Sequence, residues 1–243
     1  MSDWIVGRRP VLEALRKEKL PEKLYIQQGE NHGSVKQIIA VAKEKGIVIQ
    51  YTDQKKLDEV ADGAMHQGVA LLSGSVQYKS LEELFAISQE RGEKPFFLIL
   101  DGILDPHNYG AMIRTAEVVG CHGVIVPKRG NAPMSQTVHK ASAGATQHMA
   151  ICKVSNITDT ILKLKKQNVW VFGADMGGED YTKTNLTGAV AIVIGSEGKG
   201  LGEAVKKHVD GIVSLPVRGN VDSLNASNAC AVLLYEVLRQ NRG

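Results

Sequence analysis

The stretch PFFLILDGILDPHNYGAMIRTAEVVG, residues 95–120, decides how the chain folds. From Phe96 to Leu100 no polar residue interrupts the apolar ones. A strand of that kind has no solvent face and belongs in a sheet covered on both sides, the environment of parallel strands between helices. PFFLILDGI (95–103) is therefore read as a buried strand. Pro106 enforces a turn, and a helical pattern follows near 108–120 with Asn108 placed to cap it. VIVPK (124–128), VWVFGAD (169–175), AVAIVIGS (189–196) and GIVSLPV (211–217) are further runs of the same type. Helical segments fall between them near 134–144, 156–167 and 201–208, and a last helix covers 225–240. The alternation predicts an α/β domain with a mostly parallel sheet, whose ligands bind at the carboxyl ends of the strands.

Upstream the pattern changes. A helix near 8–19, a strand at KLYIQQ (23–28) and a helix through SVKQIIAVAKEKG come first. Val35, Ile38, Ile39 and Ala42 recur there at one-face helical spacing. A strand at IVIQYTD (47–53), a short helix near 54–61 and a strand at GVALLSGSV (68–76) complete a β-α-β-α-β order. This predicts a small α/β domain over 1–76, a polar helical linker over 77–94, and the larger domain over 95–243.

Composition narrows the function. Apolar residues make up 43% and charged residues 23%, as in ordinary globular proteins. No apolar run reaches membrane-spanning length, and MSDWIVGRRP lacks a secretory pattern, so a cytoplasmic protein is expected. Cys121, Cys152 and Cys230 are too scattered for a disulfide framework and read as core residues. The seven histidines have no ligand spacing, so no metal is expected. There is no G-x-G-x-x-G and no H-E-x-x-H, and GSEGKGLG (195–202) has the wrong glycine spacing for a P-loop. Ile194 stands where a nucleophile elbow needs glycine. The net charge is +3. Residues 1–90 hold 12 Lys and Arg against 13 Asp and Glu, and the remainder holds 17 against 13, a basic balance compatible with nucleic acid.

Three segments stand at the predicted strand ends. In the first, Asn108 and Arg114 lie about 240° apart at ~100° per residue, which leaves both flanking one side of the helix start. Gly110 there permits close approach to the backbone. In the second, AIVIGSEGKGL (191–201), Glu197 sits between glycines, a poor device for stability. In the third, LPVRGNVDSLNASNACAVLLYE (215–236), Ser223 or Asn225 suffices to cap the last helix. The surplus of hydroxyls and amides offers donors and acceptors to an adenine or ribose edge.

Together the words N-Y-G-A-M-I-R-T-A, I-G-S-E-G-K-G-L and L-P-V-R-G-N-V-D-S-L-N-A-S resemble the three motifs of the SpoU/TrmH family, within the SPOUT superfamily of RNA methyltransferases. The resemblance covers 95–243. The first half looks, more loosely, like the small substrate-binding domain of members that methylate 23S rRNA, with HQGV (66–69) as its most telling word. The resemblance implies a SPOUT domain with a deep trefoil knot, S-adenosylmethionine as cofactor, and methyl transfer to a ribose 2′-hydroxyl of RNA. The target it favours is a guanosine in the peptidyl-transferase region of 23S rRNA. A tRNA ribose, or RNA binding without catalysis on the same scaffold, stays open. It also implies a homodimer in which motif 1 of one subunit completes the site of the other. Carried over by resemblance, Asn108, Arg114, Glu197, Ser223 and Asn225 form the catalytic site, and Gly195, Leu215 and Leu224 contact the cofactor. Members often assign the base role to the arginine; since a guanidinium keeps its proton, Arg114 is expected instead to clamp the target phosphate, oriented by Glu197 and Asn108. Ser223 and Asn225 are expected to hold the ribose and the cofactor edge. RNA docking by the first half would need a basic face, with Arg8, Arg9, Arg16 and Lys17 as its candidates.

Overall fold

The computed structural model describes residues 4–16, 23–72, 78–132 and 134–242. The chain divides into two compact units at 77/78.

The first unit runs β1 (Trp4–Val6), α1 (Arg8–Arg16), β2 (Lys23–Gln27), α2 (Ser34–Glu44), β3 (Val48–Thr52), α3 (Gln54–Ala61) and β4 (Val69–Leu72). Its sheet has the order β1-β4-β2-β3. β2 and β3 are parallel, and β4 runs antiparallel to β1 and β2. Alternation along the strands sorts the two faces. Leu24, Ile26, Val69 and Leu71 meet Val11 and Leu15 of α1 and the Val35, Ile38, Ile39 and Ala42 stripe of α2. Val6 and Ala70 face the other way, onto Leu57 and Ala61 of α3. Each such Leu or Ile contributes roughly 1.5–3 kcal/mol by leaving water. β1 was not expected: three residues are too few to show a period. The expected helix beyond Arg16 and strand beyond Leu72, like Lys17 of the basic face, lie outside the described residues.

HQGV is a structural joint. The Gly68 amide donates to His66 Nδ1 at 3.0 Å, and the Arg8 amide donates to Gln67 Oε1 at 3.1 Å. Arg8 Nε donates to the Gln67 carbonyl at 2.9 Å, and its guanidinium pairs with Glu30 at 3.1 Å. Arg8 is thereby occupied within the unit, which leaves Arg9 and Arg16 as the exposed members of the expected basic face.

The second unit begins with α4 (Leu81–Glu90), in the stretch expected as a linker. A reciprocal capping box between Ser80 and Glu83 starts it. Its Leu84 packs on bare Gly123, where a Cβ would come within 2.5 Å of the leucine. Next come β5 (Phe96–Leu100), α5 (Pro106–Val118), β6 (Gly123–Pro127), α6 (Gln136–Ala141), β7 (Ile151–Val154), α7 (Ile157–Lys166) and β8 (Trp170–Asp180). β9 (Val190–Ile194), α8 (Glu203–Lys206), β10 (Gly211–Ser214) and α9 (Ala226–Asn241) complete the described chain. The sheet order is β10-β8-β9-β5-β6-β7, parallel throughout. β5 and β9 are buried at every residue, as their unbroken apolar runs require. β7 was missed: ICKV is short, carries a lysine and lies at the sheet edge. From β5 the chain winds outward through β6 and β7, then resumes on the other side with β8, and β9 follows in the place between β8 and β5. The strand order therefore switches between β5 and β9, which puts the ligand crevice outside the carboxyl ends of those two strands.

Among the described residues no helix is long and apolar enough to cross a membrane, and no group of three His, Cys, Asp or Glu is placed to hold a metal ion. The three cysteines are free and buried, as core residues should be.

Candidate active site at the carboxyl edge of the parallel sheet

Three loops leave β5, β9 and β10 at the same edge, and each is fixed by its own local chemistry. After β5, Asn131 holds the turn. Its Oδ1 accepts from the Gly102 and Ile103 amides at 2.7 and 2.9 Å, and its Nδ2 donates to the Leu100 carbonyl at 3.0 Å. Asp101, half-buried in this turn, has its pKa raised by desolvation.

Asp105, not Asn108, caps α5; its carboxylate accepts from the His107 and Asn108 amides. The expected cap is thus displaced by three residues, because Asp105 immediately precedes a proline suited to the first helical position. The displacement frees the Asn108 side chain. Gly110 also differs from expectation. Its bare α-carbon receives α6, since a Cβ would lie 2.5 Å from that of Ala141 and 2.6 Å from the Val138 carbonyl.

After β9, Gly195 leads into a tight loop closed by paired bonds between Ser196 and Gly200, at 3.1 and 2.9 Å. A side chain at Gly195 would collide with the Gly200 backbone. After β10, the chain passes through Leu215 and Ser223 to Asn225. That residue caps α9, its Oδ1 accepting from Ser227 and Asn228 amides at 2.9 and 3.3 Å.

These pieces meet. Asn108 Nδ2 donates to Glu197 Oε1 at 2.6 Å. Asn225 Nδ2 donates to Asn108 Oδ1 at 3.0 Å and to Glu197 Oε1 at 3.2 Å. Asn225 therefore serves two ends, its oxygen terminating a helix and its nitrogen joining the cluster. Asn108 is buried, while Glu197 and Asn225 are exposed, and Glu197 Oε2 has no hydrogen bond or ion pair among the described residues.

Beside the cluster lies a cavity of about 440 Å³. Gly195, Leu215 and Leu224 line it, as do Glu197, Ser223 and Asn225. Seven of the eight residues carried over by resemblance are thus together: six line the cavity, and Asn108 is bonded to two of them. Arg114 is the exception. It is exposed on α5, makes no hydrogen bond or ion pair among the described residues, and does not line the cavity. Six residues along a helix carry it about 9 Å beyond Asn108. Within one chain, Glu197 and Asn108 orient each other and Asn225, not Arg114. Sequence reasoning also missed Asp105, whose place before Pro106 was a readable cap signal, and Asn131, because an asparagine in a turn carries no signal of what it fastens.

Residues 95–235 match the SpoU rRNA Methylase family, and residues 4–79 match RNA 2′-O ribose methyltransferase substrate-binding domains. YacO of Bacillus subtilis (strain 168), named for the TrmH family of tRNA/rRNA methyltransferases, is 41% identical over 98% of this chain and 96% of its own. An AdoMet-bound rRNA methyltransferase from Sinorhizobium meliloti shares the fold with a TM-score of 0.71, at 22% identity, over 98% of this chain and 87% of its own. The TrmH/SpoU tRNA modifying enzyme of A. aeolicus has a TM-score of 0.55 at 23% identity and covers 65% of this chain and 82% of its own. With three loops in the expected order, a joined cluster at their meeting point and these matches along both units, the chain belongs to the SpoU rRNA methylase family.

Proposed function

We propose that this chain transfers a methyl group from S-adenosylmethionine to a ribose 2′-hydroxyl of RNA, and that the hydroxyl belongs to a guanosine in the peptidyl-transferase region of 23S rRNA. The observation that carries the reading is the Asn108–Glu197–Asn225 cluster at the rim of the cavity. The cavity suits the cofactor. Its volume is within the range of small-ligand sites, and its lining combines apolar Leu215 and Leu224 with bare loop backbone at Gly195, where a Cβ would collide with Gly200. When bound, S-adenosylmethionine supplies an electrophilic methyl carbon, so the protein's share is alignment and activation of the nucleophile.

Gly195, Leu215 and Leu224 would hold the cofactor by backbone and apolar contact. Ser223 and Asn225, on the cavity wall, would hold the ribose and the cofactor edge. Arg114 would clamp the phosphate of the target nucleotide and lower the pKa of the hydroxyl by its charge. Since Arg114 lies away from the cavity of its own chain, the reading extends to a homodimer in which Arg114 of the partner subunit reaches Glu197. The uncommitted Oε2 of Glu197 is a ready acceptor for that guanidinium. Exposed Val118 on α5 and Val232 and Tyr235 on α9 give the pairing an apolar surface.

The rRNA target is favoured by the first unit. The rRNA methyltransferase neighbour spans 98% of this chain, whereas the tRNA enzyme spans 65%. The experiment uses the purified chain, labelled S-adenosylmethionine, unmodified 23S transcript and a tRNA pool. The expected result is label in 23S RNA at one alkali-resistant ribose. Label in tRNA alone would overturn the target. Absence of cofactor binding would overturn the reaction.

A further inference from the structure

Asp175 has no part in the motifs, yet it joins two walls of the cavity. It follows Ala174, which pairs with Ile194 across β8 and β9, so it stands level with the start of the Gly195–Leu201 loop. Its Oδ1 accepts from the Met176 amide at 2.7 Å. Its Oδ2 accepts from the Leu201 amide at 3.1 Å and pairs with Lys206 of α8 at 2.9 Å. The side chain is 12% exposed, and it lines the cavity together with Ala174 and Met176. Gly200, at φ +63°, presents its bare α-carbon; a Cβ there would lie 2.8 Å from the same carboxylate oxygen.

The loop does not need Asp175 in order to close. The Ser196–Gly200 bonds close it, and the Leu201 side chain is buried over Gly173. What the carboxylate adds is a fixed distance between the middle of β8 and the returning leg of the loop, through charge-assisted bonds. Burial alone would raise its pKa; bonds from Lys206, Leu201 and Met176 outweigh that and hold it below the usual carboxylate value. A largely buried carboxylate needs such partners: here Met176 lies on β8, Leu201 on the returning leg of the loop and Lys206 on α8 just after it.

We infer that Asp175 is a positioning residue for the cofactor. By fastening the Leu201 amide to the middle of β8, it sets the place of the Gly195–Gly200 loop as a wall of the binding cavity. This rests on the cofactor reading proposed above.

The test is calorimetric titration of S-adenosylhomocysteine into the full chain, its Asp175→Asn variant and its Asp175→Glu variant, alongside steady-state methyl transfer. Asparagine keeps the shape but loses the charge and one acceptor. Affinity should fall ~10-fold or more, about 1.4 kcal/mol. KM for S-adenosylmethionine should rise in step, while kcat at saturating cofactor stays within ~3-fold, the mark of lost binding rather than lost chemistry. Asp175→Glu, which restores the carboxylate, should recover part of the affinity. Hydrogen exchange of the 195–206 backbone should quicken in Asp175→Asn with the thermal midpoint nearly unchanged. Unchanged affinity in Asp175→Asn, a fall in kcat at constant KM, or loss of the cooperative thermal transition would each overturn the inference. A parent chain that binds no S-adenosylhomocysteine would overturn the cofactor reading and this inference with it.

Discussion

The two ends of β5 both carry a polar cluster, and they differ in the group at the centre of each: a buried, fully bonded ring at one, a carboxylate on a cavity at the other. At the amino end, His122 Nδ1 accepts from the Phe96 amide at 3.0 Å and Nε2 meets Glu93 at 2.9 Å. The ring is 2% exposed, and both its nitrogens are committed within the protein. At the carboxyl end, Asn108, Glu197 and Asn225 bond one another but leave Glu197 Oε2 uncommitted beside a cavity. A buried ring with both nitrogens committed serves the fold, because it has nothing left to offer a ligand. A cluster with spare capacity in an open position is where chemistry can occur.

The contrast can be broken by exchanging effects between the ends. Glu197→Ala and Arg114→Ala should each lower kcat/KM for 23S RNA by at least ~10²-fold, as misplacement at a reacting centre does. Arg114→Ala should shift stability by no more than ~0.5 kcal/mol, since that side chain is exposed and unpaired among the described residues, whereas Glu197→Ala removes the acceptor of buried Asn108 and should cost about 1–3 kcal/mol. Mixed and re-equilibrated, the two variants should recover roughly a quarter of the parent activity if a dimer shares its sites. No recovery would place Arg114 and Glu197 in the same subunit's site.

At the opposite end the expected pattern reverses. His122→Ala leaves the Phe96 amide without an acceptor and opens a void. It should cost roughly 2–3 kcal/mol in denaturant unfolding, with activity per folded molecule retained. A large fall in kcat at unchanged stability would erase the distinction between the two ends.

The smallest effect is a pH slope. Burial, above all, lowers the pKa of His122, and its Nδ1 must stay bare to accept from Phe96. The folded-state value lies below the unfolded one. The contribution is therefore complete above the unfolded pKa and is lost as pH falls through the folded one, because the unfolded chain takes up the proton more readily. Unfolding midpoints between pH 7.5 and 5.5 should decline more steeply for the parent than for His122→Asn; equal slopes would remove His122 as the cause.

Legibility from sequence followed burial and length. β5 and β9 were plain because every residue in them is apolar, and α2 because four buried residues share one face. β1 and β7 were not, since short strands at sheet edges show neither period nor unbroken apolarity. The candidate site was legible as three words. What they did to one another was not: Asp105 before Pro106 does signal a cap, but nothing in residues 100–120 says that the released Asn108 meets Glu197. Asp175 was silent altogether, because its partners lie 26 and 31 positions on and no motif spans that gap.

The bond from Asn225 to Asn108 spans 117 positions. During synthesis at roughly 5–20 residues per second, the first half of the cluster must wait several seconds for the second. Until residue 225 has cleared the ribosome, α5 presents a finished cap and an unanswered amide. The nascent chain thus carries a sheet and a half-built cavity before it can hold anything in it. The protein that modifies RNA becomes competent only once its last motif has been made.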